Sequence, residues 1–210
     1  GTSVDDYKVG MTVSFTNDGK TDLLYANGGA FNADETFMAN PDPVSLTFKH
    51  QLSKVKFSFK NNVSGAYNIK VTDVKITNAK STGTLTIGDN TTANTWGNSA
   101  TGNVSLDFGN VVAAEATGTD VANTAQPIDF TKEGETYNEQ LMIPTASTES
   151  YNVTFTVELL SGTVPMGTYH HTATIEGVEL KLGYCYDFAA ELNADNIVVD
   201  PDDPDAELKP

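Results

Sequence analysis

The sequence predicts an all-β protein, a sandwich of antiparallel strands, and three observations carry that expectation. Apolar residues recur at every second position through most of the chain. The runs holding them are rich in Thr, Val, Ile and Tyr, and short clusters of Asn, Gly, Ser and Asp separate them. Side chains alternate between the two faces of a strand, so a period of two marks a half-buried sheet. β-Branched and aromatic residues suit that pleated surface. No stripe at i, i+3, i+4, i+7 is sustained, and Ala189-Ala190-Glu191-Leu192 would make a turn of helix at most.

The elements follow in order. Met11–Phe15 alternates as one strand, and the stretch from Asp22 to Gly29 reads as a loop. Val44, Leu46 and Phe48 share a face that continues through His50 and Leu52. Val55, Phe57 and Phe59 resume on the opposite parity, which places a bulge or bend near Ser53-Lys54. Tyr67, Ile69 and Val71 alternate, then Val74 and Ile76 carry on after a second parity change at Thr72-Asp73. Further strands are expected at Leu85–Ile87, Val104–Phe108, Leu141–Ile143, Tyr151–Leu159, Tyr169–Ile175 and Val178–Leu192. Asn61-Asn62, Ser64-Gly65, Gly88-Asp89-Asn90, Gly97-Asn98 and Glu133-Gly134 supply the turn chemistry between them. Ala113 to Gln126, low in complexity and rich in Ala, Thr and Gly, reads as a mobile loop.

This pattern divides the chain into three parts. Residues 44–199 form the sandwich domain. Residues 1–43 hold a single strand, which cannot close a core of its own; they either lean on the sandwich or are the remnant of, or linker from, another β domain. Residues 200–210 form an acidic tail too rich in Pro to enter a sheet.

Composition narrows the function. The 210 residues are 39% hydrophobic and 9% aromatic, enough to build a core. A net charge of −16, with no run of Lys or Arg, argues against nucleic acid as a partner and against docking on anionic lipid. No apolar stretch approaches the length of a membrane span. The opening Gly1-Thr2-Ser3-Val4-Asp5-Asp6 reads as a processed or recombinant start, so an export signal or lipid-bearing cysteine would lie upstream.

No catalytic or cofactor motif stands out. The one cysteine, Cys185, excludes an intrachain disulfide and reads as a small buried hydrophobe. His50 shares the face of Leu46, Phe48 and Leu52, so it is expected in the core, buried and neutral. His171 shares a face with Tyr169, Ala173 and Ile175 while His170 points the other way, an arrangement unsuited to one metal ion. Asp200, Asp202, Asp203 and Asp205 raise calcium, but their two prolines prevent the wrapped geometry of a calcium loop, and a solvated linker is the better reading. No nucleophile elbow, phosphate-binding glycine loop or zinc-protease motif is present. Trp96, the one tryptophan, lies among turn residues and is a candidate glycan platform; otherwise it covers the open end of a sandwich. The expected protein is no enzyme and carries no cofactor or metal.

Several motifs then point to a family. Leu46-Thr47-Phe48-Lys49-His50-Gln51-Leu52-Ser53-Lys54-Val55-Lys56-Phe57, preceded by Asp22-Leu23-Leu24-Tyr25-Ala26, resembles the Mfa-like fimbrillins of Bacteroides-type bacteria. Val74-Lys75-Ile76-Thr77-Asn78 leading to Thr82-Gly83-Thr84, then Trp96, Leu141-Met142-Ile143-Pro144 and Gly183-Tyr184-Cys185-Tyr186-Asp187-Phe188, continue the likeness over roughly residues 20 to 200. The resemblance implies transthyretin-like β-sandwich domains, two in the family. It also implies export as a lipoprotein and a place as stalk, tip or anchor in a pilus on the outer membrane. The stretch before Asp22 is much shorter than the resemblance implies, so a first domain is either trimmed or vestigial.

The expected function is therefore a structural or adhesive subunit of a cell-surface fimbria, assembled by strand addition between subunits. Its partners would be other fimbrial subunits, copies or paralogues, with a host or bacterial surface glycan or protein as receptor. The candidate assembly strands are the chain ends: Met11, Val13 and Phe15, which lack an obvious partner, and Ile197, Val198 and Val199, beyond which the Pro-Asp tail cannot fold back into a sheet. The alternative is a carbohydrate-binding surface lipoprotein that never polymerises.

Overall fold

The computed structural model describes residues 10–26, 45–63, 67–88, 92–97, 102–112 and 139–193, with backbone alone at 110–112. Every regular element among them is a strand: β1 Thr12–Thr16, β2 Leu24–Ala26, β3 Phe48–His50, β4 Ser53–Asn61, β5 Tyr67–Lys80, β6 Thr82–Thr86, β7 Thr95–Trp96, β8 Asn103–Val112, β9 Glu139–Met142, β10 Glu149–Ser161, β11 Val164–Val178 and β12 Cys185–Leu192. The protein is all-β, as the alternation predicts.

Two sheets face each other across the main core. One has the order β11-β10-β5-β8, the other β12-β4-β9. Val55, Phe57 and Phe59 of β4 point inward on one side, and Ile69, Val71, Val74 and Ile76 of β5, Leu106 and Phe108 of β8, and Val153 and Val157 of β10 meet them. The Phe57 ring stands edge-on to Phe108, with centroids 4.8 Å apart, and Phe59 lies against Phe155 at 5.3 Å. Burial of these rings and of the aliphatic side chains around them stabilises the sandwich.

Both predicted parity changes are real. At Thr72-Asp73 the β5–β8 register shifts between Val71 and Val74, which lets Val71 and Val74 both face the core. Asp73 takes the shift at φ 54°, a left-handed conformation that Asp tolerates better than most residues. The second falls at a bend at Leu52, between β3 and β4, so that Leu52 and Val55 are both buried; β4 itself runs through Ser53-Lys54 with no register shift against β9 or β12. β10 and β11 form a long hairpin closed by Gly162-Thr163, with Ser161 opposite Val164. Gly162 alone of the two has positive φ, as a II′ turn requires.

A smaller core sits beside the sandwich. β1, β6 and β7 form a three-stranded sheet, β2 and β3 a two-stranded one, and Leu52, Leu85, Ile87, Trp96 and Ile143 are buried beneath them. Val13, Phe15, Leu23 and Tyr25, all from the first 26 residues, pack against this cluster.

Several expectations need correction. The strands are not all antiparallel, because β12 runs parallel to β4, with Phe188 beside Phe57. β1 does not lack a partner: its residues pair with β6 from Thr12↔Thr86 to Thr16↔Thr82. Leu24–Ala26 and Thr95–Trp96 are strands, not loop. Of the expected strand Val178–Leu192 only Cys185–Leu192 is a separate strand: Val178 ends β11, and residues 179–184 carry a turn at Leu182-Gly183, where Gly183 has φ 76°. Ala189–Leu192 is strand and not helix. Val44, the Ala113–Gln126 loop, Ile197–Val199 and the acidic tail lie outside the described residues.

Candidate functional site

The two sandwich sheets differ by one strand, and the difference opens a seam. On one flank the four-stranded sheet ends in β11 and the three-stranded sheet ends in β12, and neither has a further strand beside it among the described residues. Between these edges runs an apolar groove of about 460 Å³. Phe57 and Phe59 form its floor, Val153, Phe155, Ala173 and Ile175 one wall, and Phe188 and Ala190 the other.

Strand alternation explains the lining. On β11 the outward residues Thr168, His170, Thr172 and Thr174 are polar and exposed, whereas Tyr169, His171, Ala173 and Ile175 face in. None of those four is fully buried, and Ala173 is exposed, because among the described residues no strand of the opposite sheet lies over them. On β12 the pattern is the same: Tyr186, Phe188 and Ala190 face the groove, while Cys185, Asp187 and Glu191 face out. An open strand edge offers backbone N–H and C=O groups, and an apolar trough beside it receives alternate side chains. Such a site suits an extended peptide far better than a polar small molecule.

The outward face of the β4–β12 pair is charged. Lys56 and Asp187 pair at 3.2 Å, Lys60 and Glu191 at 2.9 Å, and Lys54 pairs with Glu139 of β9 at 2.9 Å. These pairs are partly exposed and contribute little to stability; they mark which face of β12 meets water.

His171 stacks on Phe155 within the seam, with centroids 4.9 Å apart and planes 7° from parallel. Its Nε2 is buried with no hydrogen-bond partner among the described residues, and burial, followed by the neighbouring His170, lowers its pKa below the ordinary 6.5. His170 faces the other way, its Nδ1 3.0 Å from the Thr156 hydroxyl. The two adjacent histidines thus lie on opposite faces, as alternation requires. Elsewhere, Asp18 is held at about 2 by hydrogen bonds from the Thr21 hydroxyl and from the Thr21 and Lys20 amides. Burial pushes the Tyr151 phenol upward.

His50 overturns its expectation. Its side chain is 67% exposed, with Nδ1 2.5 Å from Asp22 Oδ2. Phe48 is 59% and Leu46 49% exposed on the same stretch. The reason is that β3 is three residues long and, among the described residues, pairs with β2 alone, so no described layer covers the outer face of this ribbon. Cys185 is also exposed, because position 185 falls on the outward parity of β12.

Trp96 is no glycan platform. The side chain belongs to a residue only 8% exposed, its ring packs edge-on to Phe15 at 6.1 Å, and a Cβ added to Gly83 would stand 3.0 Å from the indole. A ring enclosed in this way has no face to stack on a sugar. Met11 is exposed at 53%, while Val13 and Phe15 are turned into the smaller core.

Gln51 is the residue that sequence reasoning overlooked. Its amide donates to the Leu23 carbonyl and its carbonyl accepts from the Trp96 indole, at 2.8 and 2.7 Å. Its side chain donates to the Lys49 carbonyl at 2.8 Å and accepts from Asn94 at 2.9 Å. A lone Gln between His50 and Leu52 gives no hint of such a hub. The seam was legible in part, since Phe155 and Ala173 occupy the apolar parity of their strands.

Among the described residues no group of three or more His, Cys, Asp or Glu side chains is placed to hold a metal ion, and no helix is long and apolar enough to cross a membrane.

Comparison with known proteins adds three findings. No curated protein matches the chain. The profile of the fimbrillin-like family matches residues 1–201. Among solved structures, the chain is similar to a candidate cell adhesion protein from Bacteroides ovatus, at 17% identity and a TM-score of 0.47, over 89% of this chain and 57% of that one. It is also similar to a candidate cell adhesion protein from Bacteroides uniformis, at 16% identity and a TM-score of 0.40, over 91% of this chain and 64% of that one. The chain therefore spans less than two thirds of the length of either protein.

Proposed function

The chain belongs to the fimbrillin-like family, and on that premise we propose that it is a structural or adhesive subunit of a cell-surface fimbria, built by strand addition between subunits. Family membership carries the fimbrial and adhesive role. The observation that supports strand addition is the seam: the edges of β11 and β12, neither with a further strand beside it among the described residues, and an apolar groove between them.

The physical case is direct. An incoming extended segment would hydrogen-bond to the β12 edge and seat alternate apolar side chains over Phe155, Ala173 and Phe188. Specificity would come from the spacing of those side chains, and affinity from backbone pairing together with apolar burial. No catalytic step is involved. The reading also places the subunit on the outer-membrane side of the cell surface, as an exported lipoprotein of the transthyretin-like sandwich class, with other fimbrial subunits as partners.

The net charge of −16 makes copies repel one another. Association should therefore be slow at low ionic strength and quicken as salt shortens the screening length. The test is fibre formation by the full chain with partner subunits, followed by light scattering and electron microscopy across protein concentration and salt. Fibres that grow faster at higher concentration and higher salt support the reading. A strictly monomeric chain under every condition overturns it.

A further inference from the structure

We propose that His171 is an acid-sensitive latch on the seam. Neutral, it holds the Phe155 ring in the wall of the groove; protonated, it turns toward water and the wall loses its shape.

The first support is a stack. His171 and Phe155 stand opposite one another on β11 and β10, with ring centroids 4.9 Å apart and planes 7° from parallel. Phe155 lies in turn against Phe59 at 5.3 Å, and both phenylalanines line the groove. The imidazole therefore backs the ring that shapes one wall.

The second support is a nitrogen without a partner. Nε2 of His171 is buried, and no described group bonds to it. A neutral imidazole keeps one bare nitrogen, whereas protonation makes both nitrogens donors. Nε2 would then carry a charged N–H with no acceptor. The Phe155 face attracts a cation weakly, but an unmet charged donor in the interior costs more. Rotation toward the β11 edge relieves it, since no further strand lies beside that edge among the described residues.

Among the described residues no free carboxylate shares the face of His171. On β11, Tyr169 faces in with it, while His170 and Glu176 fall on the outward parity and His170 lies against Thr156. On β10, Glu158 pairs with Lys70 and Glu149 with Lys80. On β4 and β12, Lys56 pairs with Asp187 and Lys60 with Glu191, and Lys54 pairs with Glu139 of β9. Burial, then His170, disfavours the imidazolium, and no described carboxylate offsets them.

One consequence rests on the strand-addition reading. A strand that docks only on the neutral form would bind up to about tenfold more weakly for each pH unit below the pKa of His171. The latch itself is measured on the isolated chain.

The experiment is an NMR titration of the full chain from about pH 8 to about pH 4.5, the range of histidine titration. It follows each imidazole, the Phe155 ring and the Ala173 methyl, with the Trp96 indole N–H as a monitor of global unfolding. In the wild type, Phe155 and Ala173 should shift with the midpoint of His171, below 6.5, while Trp96 stays fixed. His171→Phe should abolish both shifts, and His170→Gln should keep them. His171→Gln, which cannot titrate either, replaces His171→Phe if that variant folds poorly. Signals of Phe155 and Ala173 that stay flat while His171 titrates overturn the latch. So do shifts that persist in the His171 variants, or that occur only together with a change at Trp96. No fibre forms in this measurement, so a failed latch leaves strand addition standing, and failed fibre growth leaves the latch.

Discussion

The indole of Trp96 donates a hydrogen bond of 2.7 Å to the backbone carbonyl of Gln51, across 45 residues of sequence. Through it, β7 is tied to the segment that carries the chain from the exposed β3 into the buried β4. The bond lies in the interior, so its loss leaves a carbonyl without water or partner.

Trp96→Phe should therefore cost about 1–3 kcal/mol, the penalty of an unsatisfied buried acceptor. Trp96→Ala should cost about 3–5 kcal/mol, since it also leaves a cavity against Phe15 and Gly83. Urea unfolding of the two variants measures both. Losses near zero would mean that the indole is not enclosed.

Asp73 holds the bulge of β5 at φ 54°. Asp73→Gly, which relieves the left-handed strain, should be neutral or slightly stabilising. Asp73→Val, β-branched and poorly suited to this region, should destabilise by about 1–2 kcal/mol. Thermal melts of the pair check the sign. Equal effects would place the bulge elsewhere.

Much of this architecture was legible in the sequence. The alternation of β4, β5, β10 and β11, the parity change at Thr72-Asp73 and the opposed faces of His170 and His171 all follow from a period of two. His50 and Phe48 were misplaced for a physical reason: alternation tells which residues share a face, not which face another layer covers. Coverage depends on strand order, and among the described residues β3 pairs with the short β2 alone. β2 and β7, of three and two residues, are too brief to show a period at all. The parallel pairing of β12 with β4 depends on where the chain crosses over, which residue pattern does not record. The same holds for the seam, whose lining was readable strand by strand but whose openness required the sheet order.

His171 provides a pH test. Burial holds its folded pKa below 6.5, so the folded state binds the proton less readily than the unfolded chain. The stability associated with its neutral form is complete above pH 6.5 and declines as pH falls through 6.5 toward the lowered folded value. His171→Phe, which preserves a ring against Phe155, should flatten the decline in unfolding free energy below pH 6.5. An unchanged slope would mean that the imidazole is freely hydrated and that the seam is wetter than its lining suggests.

The central claim is that the seam between β11 and β12 is where subunits join. The most direct measurement compares fibre growth with partner subunits for wild type, Ala173→Glu and Thr172→Glu, each first shown by its thermal melt to be folded. Ala173 faces the groove and Thr172 faces water one residue away, so the two variants carry the same charge on opposite faces of one strand. Burying an unpaired carboxylate under an added strand should slow growth by at least about tenfold for Ala173→Glu, with Thr172→Glu growing as wild type does. Equal growth rates for all three proteins would contradict the account.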